Sequence, residues 1–448
     1  MSFKYAAQKI SDYEWVLEKG VPKPITIFMN QFLYDQSEEE MWRQATWATN
    51  IPSVEKIIIT PDAHVGAGVP VGIVVATKDY IAPCAAGYDI SCGMILLKTK
   101  LVNDQINNKE KKRAIMKSIE ERISLGIGQQ RTSKQIIINK DKFLDILQYG
   151  LLALNVPEKI CNKFEKTHHK VNKFVHYDKA FNRGINQLSS LGSGNHFWEL
   201  QQSENGEIWV MIHTGSRGYG HQIATEFFNE GFEWWNNNFE KKINKNNKEL
   251  VCFPVDSDIG IRYLNAMNQA ANFAIVNRFL IAQATIEAIN EITSDIPEIY
   301  YEISHNLVQL EQGLWIHRKG ATRALPANHE LLKGTGFENT GHPILIPGSM
   351  GTSSAVLFPK NSINSLYSIN HGCGRVMSRG NANKNLDQDI INKEMTEMDI
   401  LYNSRNAPKD ESFHCYKNID QVLETVEGSN LAKVSFKLYP RAVIKGND

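Results

Sequence analysis

The sequence has no net charge and few cysteines. Its 49 lysine and arginine residues are balanced by 49 aspartate and glutamate residues. No global field therefore attracts the chain to a polyanion, and any nucleic-acid binding must come from a local patch. The six cysteines are scattered without the spacing of a disulfide framework, which predicts free or metal-bound thiols in a reducing compartment. We therefore expect a cytoplasmic protein.

Long apolar segments are also missing. No run approaches the roughly 18 apolar residues of a membrane span, and the N-terminal MSFKYAAQKISDYEW has no apolar signal core. The length alone allows about three domains. However, the polar motifs described below run from residue 62 to residue 445, and no linker or internal repeat separates them. We expect no membrane association and a single catalytic domain over residues 1–448.

The chain alternates short apolar segments, which end in polar glycine-rich loops, with amphipathic stretches. Residues 56–60 and 69–76 are typical of buried strands, and residues 263–289 have the apolar spacing of a long helix. The lysine- and glutamate-rich segment near residues 103–186 predicts a solvated helical insertion. Within this insertion we expect helices at 107–122, 141–154 and 157–175, with His168, His169 and His176 on the surface. The predicted fold class is mixed α/β.

Asp89 and Cys92 stand three residues apart in GYDISCG, between Gly87 and Gly93. A thiolate and a carboxylate together suit a divalent metal, because the thiolate favours borderline-soft ions and the carboxylate harder ones. A turn with a buried thiol is the structural alternative. Histidines in polar, Gly- and Asn-rich settings are the candidate additional ligands; they are His196, His213, His305 and His371.

Several stretches have the residue types of anion-binding loops. Gly192-Ser193-Gly194 lets backbone amides approach a phosphate. Arg217 follows His213 in a Gly-Ser-Arg-Gly turn, and arginine can bind phosphate in a bidentate fork. The basic tract 315–323 suits either an RNA backbone or a solvated hairpin. The small hydroxyl residues of loop 347–354 suit contacts with a ribose or base.

Eight segments, taken together, resemble the RtcB family of RNA-splicing ligases. They occur in family order over nearly the whole chain: PDAHVGAGVPVG at 61–72, GYDISCGM at 87–94, LGSGNHFWE at 191–199, HTGSRGYGHQ at 213–222, HRKGATRA at 317–324, PILIPGSMGTSS at 343–354, NHGCGRVMSR at 370–379 and VIKG at 443–446. The resemblance implies the family's own α/β fold, with many short strands and Gly-rich loops around a central metal cleft.

The resemblance also implies a GTP- and Mn(II)-dependent ligase. Such an enzyme joins an RNA end with a 3′-phosphate or 2′,3′-cyclic phosphate to a 5′-hydroxyl end. His371 would attack GTP and become guanylylated, and the GMP would pass to the RNA 3′-phosphate to give an RNA-(3′)pp(5′)G end. The 5′-hydroxyl would then displace GMP. A cyclic phosphate would be hydrolysed first.

The family pattern assigns further roles by position. One Mn(II) ion would take Cys92, His196 and His213, and a second would take Asp89, Cys92 and His305. The nucleotide-binding positions implied are Asn195, Glu199, Ser349, Ser354, Gly372, Gly374, Tyr416 and Lys445. Among them, Glu199 would accept hydrogen bonds from the guanine edge. The candidates for RNA phosphate contacts are Arg217, Lys319, Arg375 and Arg379.

Two other functions remain alternatives. A binuclear metal-dependent phosphoesterase would use Asp89, Cys92 and the histidines without needing His371 or Glu199. A non-catalytic RNA-binding protein would need neither His371 nor Glu199. An archease-type protein activates parts of the family, so such a partner is a further alternative here. The chain departs from the usual family pattern at Cys373, which we expect to be a packing residue. His64 has either a role near the site or a structural role in its turn.

Overall fold

The computed structural model describes residues 2–126 and 132–446. Its strands are β1 (Gln8–Lys9), β2 (Glu14–Leu17), β3 (Ile25–Phe28), β4 (Val54–His64), β5 (Val71–Thr77), β6 (Tyr80–Ile81), β7 (Gly93–Val102), β8 (Phe197–Ser203), β9 (Glu207–Thr214), β10 (Phe253–Pro254), β11 (Glu298–Ser304), β12 (Asn306–Glu311), β13 (Leu314–Lys319), β14 (Ala321–Arg323), β15 (Ile344–Ile346), β16 (Ser354–Pro359), β17 (Ser368–Asn370), β18 (Leu401–Tyr402) and β19 (Ala432–Ile444).

The helices are α1 (Gln31–Gln36), α2 (Glu39–Ala48), α3 (Asn103–Ile106), α4 (Lys109–Glu120), α5 (Lys140–Tyr149), α6 (Glu158–Cys161), α7 (Asp178–Ile185), α8 (Arg217–Asn238), α9 (Asp258–Thr293), α10 (Arg379–Asn385), α11 (Gln388–Glu397) and α12 (Ile419–Gly428). The mixed α/β class is therefore confirmed. No helix in the described ranges is both long enough and apolar enough to cross a membrane.

Two large sheets form the framework. The first has the strand order β1-β2-β3-β4-β5-β13-β12, and the second has the order β11-β7-β9-β8-β19-β16-β15, with β18 paired to β19. β3 and β4 run parallel, whereas the other neighbours along these two paths are antiparallel. Both strands of the pair β4 and β5 are buried over most of their length, as their apolar sequences predict.

The longest helix, α9, packs against both the second sheet and the helical segment. Ser257 caps its N-terminus by accepting a hydrogen bond from the Gly260 amide at 3.2 Å, and its apolar residues are buried around most of the circumference. A helix that is apolar on nearly every side belongs in a core. α9 therefore forms a scaffold between the helical segment and the strands β7 and β9.

The segment near 103–186 is partly helical, but the predicted helix at 157–175 is wrong. Only α6 forms there, and the chain beyond it is irregular or extended. Its amides are bound by side chains of α9 instead of by a helical ladder: Val175 N donates to Gln269 at 3.0 Å, and His169 N to Asn272 at 2.6 Å. His169 is consequently buried, contrary to the expected surface position, whereas His168 and His176 are exposed. Residues 127–131 of this segment lie outside the described residues.

The basic tract 315–323 is not a solvated hairpin. It forms β13 and β14 inside the protein, where its charged side chains have internal partners. Arg318 binds both carboxylate oxygens of Glu311 at 2.7 and 2.8 Å, and Arg323 lies 2.7 Å from Glu165. A buried guanidinium needs such a partner, because an unpaired charge in the interior is costly.

The ends of the strands bring the candidate residues to one place. β7 and β8 begin, and β9, β11 and β19 end, at the same edge of the second sheet. In the first sheet, β4 and β13 end and β5 and β12 begin at one edge. His305 is the single residue between β11 and β12, so the two edges meet there.

Candidate active site

A cavity of about 320 Å³ opens where these two edges meet. Ligand sites of several hundred cubic ångströms are typical of small-molecule enzymes. Most of the predicted site residues line it: Asp89, Cys92, Asn195, Glu199, His213, His305, Lys319, Ser349, Ser354, His371, Gly372, Gly374, Arg375, Arg379, Tyr416 and Lys445. His196 and Arg217 are not among the lining residues and lie behind them, His196 against Asp89 and Cys92.

Five metal-ligating side chains converge on one side of the cavity. Cys92 Sγ lies 3.3 Å from His196 Nε2 and 3.1 Å from His213 Nε2. His196 Nε2 lies 2.9 Å from Asp89 Oδ2, and His213 Nε2 lies 3.3 Å from His305 Nε2. The ligand atoms form two groups, each within 4.8 Å: Asp89, Cys92 and His196 form one, and Cys92, His213 and His305 form the other.

This grouping differs from the one implied by the family resemblance, because Asp89 is paired with His196 instead of His305. The strand register explains why His213 and His305 share a group. Met94 pairs with His213 in the β7–β9 ladder, and Gly93 pairs with Ser304 in the β7–β11 ladder. The residues on the two flanking strands therefore meet beside the start of β7. Cys92 belongs to both groups, as expected.

The protonation of these groups suits metal ligation. Burial holds the pKa of His213 and of His305 well below its ordinary value, so both imidazoles are neutral at pH 7 and offer a nitrogen lone pair. Burial, aided by Asp89, raises the pKa of the Cys92 thiol, and a metal ion would have to displace that proton. Three imidazoles, a thiol and a carboxylate form a donor set that fits a borderline divalent ion.

His371 directly follows β17 and lies beside the ligand cluster. Its ring centroid lies 4.9 Å from that of His305, and its Nδ1 lies 2.7 Å from Oδ2 of Asp62. The amides of His371 and Gly372 also point at this carboxylate oxygen, each at 3.3 Å. The Thr60 hydroxyl donates to the other oxygen at 2.6 Å. Asp62 therefore orients the ring and leaves Nε2 as the free nitrogen.

Asp62 is not among the site residues predicted from the sequence, although it stands in the segment PDAHVGAGVPVG at 61–72. Asp62 is fully buried. Burial raises the pKa of its carboxyl, but the His371 ring and the Thr60 hydroxyl outweigh burial and hold the pKa below its usual value. Gly374 lies against the same segment with φ +77°, and a Cβ atom there would be 2.0 Å from the Asp62 carbonyl oxygen. This close approach requires glycine.

Two residues that the sequence left open also have clear positions. His64 lines the cavity, and its Nδ1 lies 3.0 Å from the Asp62 carbonyl oxygen. Its pKa is lowered to about 4, chiefly by burial. Cys373 also lines the cavity but is buried in an apolar cluster that includes Ile369, and burial raises the pKa of its thiol to about 12.

Glu199 is buried and lines the cavity. Gln201 donates to Glu199 Oε2 at 2.6 Å and to the Ser354 hydroxyl at 3.0 Å. Burial raises the pKa of Glu199 to about 7, although Gln201 and Lys445 oppose the shift. One carboxylate oxygen is thus held by Gln201 while the side chain borders the cavity. Gln201 is a second residue that sequence reasoning missed.

Glu411, a third residue that the sequence did not reveal, binds several polar and cationic side chains that line the cavity. Its Oε2 accepts from the Tyr416 hydroxyl at 2.6 Å and from Lys445 Nζ at 2.9 Å. Its Oε1 lies 3.2 Å from Arg375 and 3.5 Å from Arg379. Burial raises the pKa of Glu411, but Lys445 and Tyr416 outweigh it and hold the pKa below its usual value. No motif in the sequence indicated this carboxylate.

The four cationic candidates for phosphate contacts differ in availability. Arg217 donates to Ser190 and to the Gly126 carbonyl, at 3.1 and 2.6 Å. Lys319 Nζ donates to two carbonyl oxygens of the loop after β4, at 2.7 and 2.8 Å. Arg375 and Arg379 border the cavity, and the Arg379 side chain is 44% exposed. Arg379 is therefore the candidate most accessible to a large ligand.

Comparison with known proteins gives consistent results. Residues 44–446 match the family described as tRNA-splicing ligase RtcB. The chain is 33% identical to the tRNA-splicing ligase RtcB of Nanoarchaeum equitans, over 98% of this chain and 99% of that protein. It is 30% identical to the protein of the same name from Pyrobaculum aerophilum, with the same coverage. An RNA-splicing ligase RtcB of Mycobacterium tuberculosis is 33% identical over 86% of this chain and 96% of that protein.

Proposed function

Because the chain belongs to the RtcB family of tRNA-splicing ligases, we propose that it is a GTP- and Mn(II)-dependent RNA ligase. Its substrates are an RNA end with a 3′-phosphate or 2′,3′-cyclic phosphate and an RNA end with a 5′-hydroxyl. The observation that best supports this proposal is the placement of His371, which faces the metal-ligating cluster while Asp62 occupies its Nδ1.

In the first step, His371 Nε2 attacks the α-phosphorus of GTP. The Nε2–P bond forms and the bond to pyrophosphate breaks, while the Nδ1 proton remains on the ring as a donor to Asp62. An orienting carboxylate of this kind fixes the tautomer and stabilises the charge that develops on the imidazole. Burial of Asp62 strengthens that interaction, because little water screens it.

GMP then moves to the RNA. An oxygen of the 3′-phosphate attacks the phosphorus on His371, and the N–P bond breaks to give the RNA-(3′)pp(5′)G end. The 5′-hydroxyl attacks the 3′-phosphorus, the new phosphodiester forms and GMP leaves. A cyclic phosphate is opened by water before the first of these transfers.

The five side chains of the two groups would hold the metal, and Cys92 belongs to both groups. When bound, Mn(II) supplies charge neutralisation for the phosphates. The short distance between the His371 and His305 rings, 4.9 Å between centroids, supports a nucleophile next to these ligands. Arg375 and Arg379, with Lys319 and Arg217 deeper in the structure, are the proposed contacts for RNA phosphates.

Guanine selectivity is proposed for Glu199, whose carboxylate would accept from N1–H and N2–H₂ of the base. Adenine presents no matching pair of donors. The remaining proposed nucleotide contacts are Asn195, Ser349, Ser354, Gly372, Gly374, Tyr416 and Lys445, which all border the same cavity. We further propose that residues 1–448 act as one catalytic unit, since the cavity draws on residues from His64 to Lys445.

Cellular context is also part of the proposal. All six cysteines are free thiols, which supports a reducing compartment, the cytoplasm. The RNA ends are proposed to arise in RNA splicing or repair, and an archease-type activator is a proposed partner.

Incubation with α-³²P-GTP and MnCl₂, followed by a denaturing gel, tests this function. We expect a labelled band in the wild type and none in His371→Ala. The exposed His176 provides a control, because His176→Ala should label like the wild type. An unlabelled wild type, tested with and without an archease-type protein and with Mn(II) shown to be bound, would contradict the proposal and favour a metal-dependent phosphoesterase.

A further inference from the structure

Arg278 lies in the middle of α9 and is completely buried. Its guanidinium is not part of the cavity lining. Glu302 on β11 neutralises it, with Oε1 2.6 Å from Arg278 Nε. Nη2 lies 2.5 Å from the same oxygen, whereas Nη1 binds other residues, so the ion pair uses only part of the side chain's hydrogen-bonding capacity.

The remaining hydrogen bonds follow a pattern. Arg278 Nη1 donates to the carbonyl oxygens of Ser91 and Thr214, at 2.7 and 3.0 Å. Nη2 donates to the Ser304 hydroxyl at 3.1 Å. These three residues are the direct sequence neighbours of Cys92, His213 and His305, the members of one metal-ligating group.

The three neighbours belong to separate parts of the chain. Ser91 is in the turn before β7, Thr214 ends β9 and Ser304 ends β11. Ser91 has a φ of +56°, a strained value for a serine, and its hydroxyl lies 3.0 Å from that of Ser304. A single rigid guanidinium thus connects three backbone segments, each of which holds a ligand for the same ion.

Gly93 makes this arrangement possible. A Cβ atom at Gly93 would lie 2.4 Å from the Ile303 carbonyl oxygen, 2.9 Å from Ser304 Cα and 3.0 Å from Arg278 Cζ. Only glycine lets β7 approach both β11 and the guanidinium this closely. Gly93, next to Cys92, therefore packs closely against both Arg278 and the neighbouring strand β11.

We propose that Arg278 is a positioning residue that holds Cys92, His213 and His305 at the spacing one metal ion requires. The proposal rests on the metal centre of the proposed function. Without this residue, the ligand atoms would have to be brought together by the ion itself. His213 Nε2 and His305 Nε2 are only 3.3 Å apart, so a shift of either backbone segment would change the spacing of the ligand atoms.

The chain contains a matched control. Arg318 is also buried, binds Glu311 through two nitrogens, and donates to the Ser368 hydroxyl at 2.8 Å and the Leu366 carbonyl at 3.1 Å. Its partners are therefore of the same kinds as those of Arg278. None of them is a sequence neighbour of a metal-ligating residue.

The test is a titration of the metal-free full chain with Co²⁺, followed by the thiolate-to-cobalt charge-transfer absorption, with thermal unfolding measured in parallel. In Arg278→Lys we expect the affinity of the site that gives this absorption to fall about 10- to 100-fold. Arg318→Lys should lose a similar amount of thermal stability and keep wild-type affinity. Ser304→Ala, which removes one contact only, should show a smaller loss of affinity than Arg278→Lys, and Ser368→Ala should show none.

The outcomes separate the two proposals. If Arg278→Lys is less stable but binds Co²⁺ like the wild type, Arg278 is a structural residue only and the inference is overturned. If Arg278→Lys does not fold, wild-type affinity in Ser304→Ala overturns it. A wild type that binds no Co²⁺ overturns the metal centre of the proposed function, and the inference with it.

Discussion

Nδ1 of His371 lies 2.7 Å from Oδ2 of Asp62, although the two residues are 309 positions apart in the chain. The Asp62 carboxylate also accepts hydrogen bonds from the backbone amides of His371 and Gly372. These bonds fix the orientation of the carboxylate independently of the imidazole ring. The pair resembles the His–Asp arrangement that orients imidazoles in other enzymes.

Asp62→Asn should slow the formation of the GMP adduct without removing the nucleophile. An asparagine can present its NH₂ group to Nδ1 and favour the wrong tautomer, so we expect a loss on the order of 10² to 10⁴ in the single-turnover labelling rate. The rate is measured with α-³²P-GTP at saturating metal. Thr60→Ser, which retains the hydroxyl that donates to Asp62, is the control. A labelling rate in Asp62→Asn equal to that of wild type would contradict the role of this carboxylate.

GTP affinity should depend on pH through Glu199. Burial raises its pKa to about 7, and only the ionised carboxylate can accept both guanine donors. Affinity should therefore rise as pH increases through about 7 and fall below it, by up to about tenfold per pH unit. Calorimetric titration from pH 5.5 to 8.5 measures this. Glu199→Gln controls for ionisation of the nucleotide, and identical profiles for the two proteins would refute the assignment.

Metal stoichiometry should follow the two ligand groups. Cys92 belongs to both, whereas His305 belongs to one. Equilibrium dialysis against Mn(II) should give two ions per wild-type chain, one in His305→Ala and none in Cys92→Ala. Cys252→Ala, which removes another buried thiol, should retain two. Two tightly bound ions in Cys92→Ala would show that the thiol is not a shared ligand.

Glu411→Gln should destabilise the protein more than loss of a surface ion pair. The variant leaves the buried Lys445 and the half-buried Arg375 without their carboxylate, which costs about 3–5 kcal/mol. Urea unfolding measures the change. Glu230→Gln breaks the partly exposed pair with Arg262, for which about 0–1 kcal/mol is expected. Equal losses in the two variants would indicate that Glu411 is not a buried anchor.

Gly374→Ala should be destabilising, whereas Gly372→Ala should be tolerated. Gly374 has φ +77° and its Cβ would lie 2.0 Å from the Asp62 carbonyl oxygen, while a Cβ at Gly372 would meet nothing closer than 3.6 Å. We expect a loss of about 1–3 kcal/mol or more for the first and less than about 1 kcal/mol for the second. Chemical unfolding of both variants decides this, and similar stabilities would contradict the close approach.

The sequence predicted the fold class and most of the cavity because the signals are local. Asp89, Cys92, His213 and His305 are polar residues at or next to strand ends, and such positions present side chains at a site. The strands β4 and β5 and the helix α9 lie near their predicted ranges because their apolar periodicity is strong.

The features that sequence reasoning missed depend on contacts between distant segments. Asp62 is recognisable only when β17 brings His371 beside it, and Glu411 only when four separate side chains meet around it. The helix predicted at 157–175 failed for the same reason, because side-chain amides of α9 replace its backbone ladder. Local propensity cannot anticipate such partners.

The position of β19 has a consequence for synthesis of the protein. This strand lies between β8 and β16 in the second sheet, yet it begins at Ala432, roughly 230 residues after β8 ends at Ser203. At about 5–20 residues per second, a ribosome needs on the order of 10 to 50 s to make the intervening chain. During that interval the edge of β8 that later pairs with β19 has no partner. It is open to pairing with other nascent chains. Chaperone protection would therefore be needed most before the last strand emerges.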